Sequence, residues 1–132
     1  MGANEGTIGG DGLVRFVIPS LPPSVNALHN VIWSQRRVEL KPEVRAWRSQ
    51  AKQYIPRVTL GCSFLRVDVV VHYPFYHANG KLRIFDSHNL LKPLLDVIAE
   101  KIGVNDNCMK AGSWDSKNSD NEKVEVILRA LP

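Results

Sequence analysis

Hydrophobic and polar positions alternate along several short stretches of the chain, and this pattern predicts strands. The clearest stretch is 64–73, where Arg66 and Asp68 alternate with apolar, mostly β-branched neighbours. Residues 13–18 are also apolar and β-branched, and this stretch stops at Pro19. These stretches predict a β-sheet. Its further candidate strands are residues 82–85, 108–114 and 123–128.

Two stretches have the three-to-four spacing of amphipathic helices. In the first, Pro42 suits the first helical position, and the apolar side chains share one face as far as Pro56. In the second, Gly103 suits the position just past the helix, and Ser87 or Asn89 is a candidate N-cap. The apolar stripes are Val44, Trp47, Ala51 and Tyr54 or Ile55 in the first helix, and Leu90, Leu91, Leu94, Leu95 and Ile98 in the second.

Turn and loop signals separate these elements without dividing the chain into two domains. Residues 19–26 contain three prolines, which exclude a helix or a sheet interior, so we expect an ordered, extended loop. Asn79-Gly80 predicts a turn. The length of 132 residues suits one domain. We therefore expect a flexible N-terminal tail at 1–12 and one α+β domain at 13–132, with a mixed sheet of about four to five strands and two main helices.

Charge is distributed unevenly along this domain. The chain is 44% hydrophobic and 23% charged, which excludes a collagen, a coiled coil and a wholly disordered chain. Its formal net charge is +4, yet residues 30–57 alone carry seven basic side chains against two acidic ones. Arg45, Arg48 and Lys52 share the outer face of the first predicted helix. This concentration suggests a polyanionic partner.

Cysteine usage and the lack of long apolar runs bear on the cellular compartment. Cys62 and Cys108 match no spacing of a disulfide scaffold or a zinc site, so we expect thiols in a reducing compartment. No run approaches the roughly 18 to 20 apolar residues of a membrane span. Residues 1–12 lack the basic and apolar blocks of a signal peptide. We therefore expect a cytoplasmic protein with no membrane partner.

Polar residues with metal-binding chemistry stand at the start of the second predicted helix. Asp86 and His88 are two positions apart at the end of a candidate strand, so their side chains are expected on the same side. Asp106 follows the helix, and we expect it to complete a cluster at one end of the sheet. Carboxylates of this kind hold Mg²⁺ for phosphodiester hydrolysis, and Lys92 is placed to stabilise the developing charge.

The same residues also have a purely structural interpretation. Asp86 and Ser87 would then cap the helix, and Lys92 would pair with Asp96 four residues later. Asp106 would belong to an ordinary Asn-Asp-Asn turn. Spacing alone leaves both interpretations open.

Four motifs follow one another along most of the chain. They are Pro22-Pro-Ser-Val-Asn26, a basic helix with Trp47, Asp86-x-His-Asn-x-x-Lys-Pro-Leu-Leu-Asp96, and Gly103-Val-Asn-Asp106-x-x-Met109. In this order they resemble the RusA family of Holliday junction resolvases, which are crossover junction endodeoxyribonucleases. The resemblance implies a small homodimeric endonuclease of DNA recombination and repair that makes paired, Mg²⁺-dependent nicks in four-way DNA junctions. It also implies use at the nucleoid and no small-molecule cofactor.

The resemblance further assigns residues to a metal site. It implies three aspartates that hold the metal and a lysine that assists. The first aspartate falls on Asp86, the last on Asp106 and the lysine on Lys92. His88 stands where the family has its middle aspartate, and it is a candidate third ligand or water-orienting group.

The histidine departs from the family pattern. A neutral imidazole can bind metal, but it brings no negative charge and is softer than a carboxylate, so preference would shift from Mg²⁺ toward Mn²⁺. The alternative is a junction-binding or branched-DNA-binding protein of the same fold that has lost cleavage. Around the site we expect Asn89 and Asp96 as supporting residues, with Asp96 as the partner of Lys92.

The basic segment and the Pro-rich loop supply the residues expected to bind DNA. Phosphate contacts by basic side chains would give affinity without base specificity. A tryptophan beside arginines can stack on a base or a sugar. A charged face that only keeps the protein soluble is the alternative. The candidates are Ser24, Asn26, Trp33, Arg36, Arg37, Lys41, Arg45 and Arg48.

Overall fold

A mixed β-sheet organises the computed structural model, which describes residues 7–8, 12–23, 29–32, 37–58, 64–83 and 87–131. In chain order its elements are β1 (Thr7–Ile8), β2 (Val14–Ile18), β3 (His29–Ile32), β4 (Arg37–Leu40), α1 (Pro42–Lys52), β5 (Phe64–Tyr73), α2 (Leu91–Ile102), β6 (Met109–Asn118) and β7 (Lys123–Leu131). The sheet has the strand order β1-β2-β7-β5-β6, and β3 pairs with β4 in a separate antiparallel sheet. Within the larger sheet, β5 and β6 are parallel and the other neighbours are antiparallel. The predicted α+β class is confirmed.

Pairing between strands lengthens some of the predicted elements. β2 and β5 occupy the predicted stretches, whereas β7 runs three residues past the alternating pattern. β6 continues to Asn118, four polar residues past the candidate strand at 108–114. Its register runs from Met109 beside Leu65 to Asn118 beside Tyr73, so the parallel pairing with β5 supplies the backbone hydrogen bonds that the sequence pattern does not reveal.

Other parts of the sheet depart from the sequence-based prediction. In the candidate strand at 82–85, Leu82 makes an isolated bridge to Tyr76, and residues 84–85 lie outside the described residues. The segment predicted as a flexible tail contributes β1, which pairs with β2. The β3–β4 pair was not predicted, because the basic segment that holds it lacks a clear alternation.

Both predicted helices are confirmed, and their ends show what stops them. Pro42 occupies the first turn of α1, and a hydrogen bond of 3.0 Å from Trp47 Nε1 to Ser20 Oγ joins this helix to the Pro-rich loop. α2 ends at Gly103, whose φ of 74° is the left-handed conformation that glycine adopts most easily. At its start, the N-cap is Leu90 with no side-chain cap, and a short 3₁₀ helix (Ser87–Leu90) leads in. No helix in the described part of the chain is long and apolar enough to cross a membrane.

The helices pack on one face of the sheet. Phe16, Val126 and Val69 lie side by side on neighbouring strands and are buried with the apolar stripes of α1 and α2 in one core. On the opposite face, Arg15 is exposed and Ile127 is half-buried. One face is therefore the core and the other is open to solvent.

The segment β5–α2–β6 forms a crossover between parallel strands, and it positions the candidate site. In such a unit the helix runs back across the sheet, opposite to both strands. The start of α2 therefore lies near the C-terminal end of β5, and the end of α2 lies near the N-terminal end of β6. Residues just before α2 and residues just after it are held at opposite ends of these two strands.

Candidate functional site

The start of α2 carries the first part of the predicted metal site. The backbone of His88 belongs to the 3₁₀ helix that leads directly into α2, and Asn89 in the same turn is half-buried. Asp86 and the side chain of His88 lie outside the described residues. Their assignment as metal ligands stays a prediction from the sequence.

Lys92 and Asp96 form the ion pair predicted from their spacing. Lys92 Nζ lies 3.0 Å from Oδ1 and 3.3 Å from Oδ2 of Asp96. The lysine side chain is 61% exposed and the aspartate 31%, so the pair contributes only about 0.3–0.5 kcal/mol to helix stability. Its more useful consequence is positional, because the carboxylate restrains the ammonium at the first turn of α2.

Asp106 lies in a short 3₁₀ helix (Asp106–Cys108) between α2 and β6. Asn105 builds this turn, because its Oδ1 accepts a hydrogen bond of 2.9 Å from the Asn107 N–H and its carbonyl accepts one of 2.9 Å from the Cys108 N–H. The Asp106 side chain lies outside the described residues. Asn105, and not Asp106, therefore supplies the side-chain hydrogen bond of this Asx turn.

Within one chain, α2 lies between the predicted metal ligands His88 and Asp106 in the sequence. His88 precedes α2 and Asp106 follows it, and the twelve residues of the helix span about 18 Å. The backbones of His88 and Asp106 therefore lie on either side of α2, and the grouping of these residues with Asp86 as metal ligands stays a prediction. Among the described side chains, no group of three or more His, Cys, Asp or Glu has metal-binding geometry.

The predicted DNA-binding residues are only partly covered by the structure. Ser24, Asn26, Trp33 and Arg36 lie outside the described residues, and for Arg37 only the backbone in β4 is described. Lys41 is half-buried just before α1, and Arg45 is exposed on that helix. Their roles in DNA binding stay predictions.

Arg48 and Lys52 of α1 share an acidic partner that sequence spacing does not reveal. Both side chains form ion pairs with the carboxylate of Glu100 on α2. The hydrogen bonds from Lys52 and from Arg48 hold the pKa of Glu100 below its ordinary value, despite its partial burial. Glu100 is therefore ionised at neutral pH and links the two helices.

A polar cluster on the open face of the sheet was also missed. Arg66 Nε lies 3.1 Å from both carboxylate oxygens of Asp68, and Ser113 Oγ donates a 2.8 Å hydrogen bond to Asp68 Oδ1. Partial burial acts to raise the pKa of Asp68, but these hydrogen bonds and the charges of Arg66 and Arg129 outweigh it and lower the pKa. The two-residue spacing of Arg66 and Asp68 on β5 puts both on one face, whereas only the β5–β6 register places Ser113 beside Asp68.

The lowered pKa of Asp68 predicts how acid acts on the fold. Ionised Asp68 stabilises the folded chain at neutral pH, and this contribution is lost as the pH falls through the lowered folded-state pKa. Asp68→Asn should lower the melting temperature by a few degrees at pH 7 and by less near pH 3. Asp115→Asn, an exposed carboxylate on β6, is the control. Equal losses at both pH values for Asp68→Asn would contradict the electrostatic explanation.

A family comparison connects this arrangement to a known class of enzymes. The family model described as Endodeoxyribonuclease RusA matches residues 21–129, from the Pro-rich loop to β7. The chain belongs to the RusA family. The resemblance seen in the sequence motifs is therefore confirmed over most of the chain. RusA is a family of endodeoxyribonucleases that resolve Holliday junctions. No curated protein matches this chain.

Proposed function

We propose that this RusA-family chain is a divalent-metal-dependent endonuclease that binds four-way DNA junctions and resolves them by paired nicks. The family match over residues 21–129 is the observation that supports nuclease activity. The exposed Arg45 on α1 and the concentration of basic residues at 30–57 support binding to the DNA backbone, since phosphate contacts supply most of the affinity for nucleic acids. Selectivity for junctions then comes from the spacing of two sites in a dimer.

The predicted ligands have suitable chemistry for a divalent ion, and α2 lies between them in the chain. Two carboxylates and an imidazole suit Mg²⁺ or Mn²⁺, and such an ion polarises a phosphate and activates a water molecule. The backbones of His88 and Asp106 stand at opposite ends of α2. The proposal therefore includes a homodimer in which the Asp106 end of one copy meets the Asp86–His88 end of its partner.

The edge of the sheet supports such a homodimer. β6 ends the strand order, and most of its side chains are exposed on both faces. Beside it, Leu91 and Leu95 of α2 border an apolar groove of about 290 Å³ that also includes Trp114. A second copy of this chain would cover the exposed side chains of β6 and the apolar groove, and monomeric proteins seldom expose large apolar surfaces of this kind.

Lys92 is proposed to act on the scissile phosphate of the DNA backbone. Its ammonium is largely exposed at the first turn of α2 and is restrained by Asp96. A cation held in this way stabilises the negative charge that develops on the phosphate in the transition state. Loss of the restraint in Asp96→Asn would weaken this effect without removing the cation.

His88 supports a second candidate function. The histidine stands where the family has an aspartate, so the site carries one negative charge fewer than its relatives. A site with a weaker hold on Mg²⁺ is compatible with a RusA-family protein that binds junctions and does not cleave them.

One assay separates the two candidates. The protein is incubated with a labelled four-way junction in Mg²⁺ and, separately, in Mn²⁺, with a linear duplex of the same sequence as the control. The nuclease proposal expects a junction-specific shift and nicks in opposing strands in at least one metal. Binding without nicks in either metal supports the non-cleaving alternative, and no shift in any condition excludes both.

Replacing His88 tests its place in the site. His88→Asp should raise Mg²⁺-supported cleavage by about tenfold or more, a difference of about 1.4 kcal/mol in the activation barrier. The added carboxylate favours a hard ion, so the preference for Mn²⁺ should fall at the same time. His77→Asp, on an exposed turn, is the matched control. Unchanged rate and metal preference for His88→Asp would remove His88 from the metal site.

A further inference from the structure

The C-terminal ends of α1 and α2 bring several basic side chains together. Lys52 lies in the last turn of α1 and Lys101 in the last turn of α2, and Arg57 follows α1. Glu100 is paired with Arg48 and Lys52. We call Lys52, Arg57 and Lys101 the helix-end cluster.

An ion pair joins the two helix ends at the helix-end cluster, because Lys52 of α1 contacts Glu100, the residue before Lys101 on α2. Partial burial lowers the pKa of Lys101, and the positive charges of Arg57 and Lys52 lower it further. In the described part of the chain, neither Arg57 nor Lys101 has a carboxylate within ion-pair distance. Within the described part of the chain, Arg57 and Lys101 therefore leave an excess of positive charge at these helix ends.

Helix electrostatics explain only part of this arrangement. A basic residue in the last turn stabilises a helix by interacting with its partial negative charge, which accounts for one lysine on each helix. It does not account for Arg57, which lies beyond α1, or for the repulsion among the three side chains. A fully solvated basic surface would leave each of these flexible side chains exposed, whereas Lys101 is half-buried at the end of α2.

We propose that the helix-end cluster binds phosphates of the DNA backbone, as a second contact surface at the opposite end of α2 from Lys92 of the same chain. The proposal rests on the proposed function, because a nuclease of DNA junctions supplies the polyanion. A phosphate group would remove the repulsion among the three cations and accept hydrogen bonds from all of them. Lys92 and Lys101 are nine residues apart, about 14 Å along the helix axis, so the two contacts would reach different phosphates.

Neutral variants of the cluster test this proposal. The triple variant Lys52→Gln, Arg57→Gln, Lys101→Gln should bind a four-way junction more weakly, and its salt dependence should lose about 0.9 in slope for each lost phosphate contact. The nicking rate at saturating protein should not change. The matched control is Lys81→Gln, Lys123→Gln, Arg129→Gln, which removes the same charge from three basic side chains outside α1, α2 and β6. Equal weakening in both triple variants would overturn the cluster, because net charge alone would explain it.

Glu100→Gln provides a test in the opposite direction. This variant releases Arg48 and Lys52 from their shared carboxylate, so it should bind the junction more tightly and with a steeper salt dependence. Unchanged or weaker binding would contradict the proposal. If the triple variant does not fold, by circular dichroism and thermal melting, the single variant Arg57→Gln at an exposed position takes its place.

The two proposals fail in different ways. If the wild-type chain does not bind junction DNA, the proposed function and the cluster both fall. If the wild-type chain binds and nicks junctions while the cluster variants match their controls, only the cluster is overturned.

Discussion

Mixing Asp86→Asn chains with Asp106→Asn chains should restore nicking of a four-way junction that neither variant nicks alone. The backbones of His88, which is two residues after Asp86 in the sequence, and of Asp106 lie on either side of α2, a helix about 18 Å long. If each site takes Asp86 from one chain and Asp106 from its partner, a mixed dimer has one site without either carboxylate and one site with both. Random mixing would leave about a quarter of the wild-type number of intact sites.

The products distinguish this recovery from ordinary activity. A mixed dimer has one intact site, so it should make single nicks and should not resolve the junction by paired nicks. Asp120→Asn, an exposed carboxylate before β7, should nick normally and is the matched control. A silent mixture, with both variants dimeric and bound to the junction, would show that each site belongs to one chain.

Binding by the single variants also carries information. Asp86→Asn and Asp106→Asn should bind the junction as tightly as the wild-type chain or more tightly, because each removes a negative charge close to a phosphate. Loss of binding in Asp86→Asn would favour the structural interpretation, in which Asp86 caps the helix.

Gly112→Ala should lower the stability of the fold by about 3 kcal/mol, which lies at the upper end of overpacking costs. A Cβ at this position would lie 2.0 Å from the carbonyl oxygen of Val67. That atom belongs to the backbone of β5, the strand between β6 and β7, so it cannot move aside as the end of a side chain can. Either β6 separates from β5 locally or the sheet shifts against α2.

Thermal unfolding measures this effect. For a chain of this size, a loss of about 3 kcal/mol corresponds to a fall of about 10 °C in the melting temperature. Gly80→Ala is the comparison, since Gly80 has a φ of 83° but no atom within 4 Å of an added Cβ. Its cost should be only about 1–2 kcal/mol, from the left-handed backbone. Gly112→Ala melting at or above Gly80→Ala would contradict the close-approach argument.

The sequence alone determines those strands and helices in which hydrophobic and polar residues follow a regular period. β5 and both helices follow from hydrophobic periodicity, and the ends of the helices follow from Pro42 and Gly103. The Lys92–Asp96 pair follows from helical spacing, because residues four apart lie on the same side of a helix. The motif order also indicated the family that residues 21–129 match.

Only the tertiary structure decided the contacts between residues far apart in the chain. The polar end of β6 is a strand because β5 lies beside it, and Ser113 meets Asp68 only through that register. Glu100 joins α1 to α2 because the two helices pack against the same face of the sheet. The same crossover holds His88 and Asp106 at opposite ends of α2, since a helix of fixed rise separates whatever precedes it from whatever follows it. Local sequence sets which residues form an element, while the packing of elements sets which of them can meet.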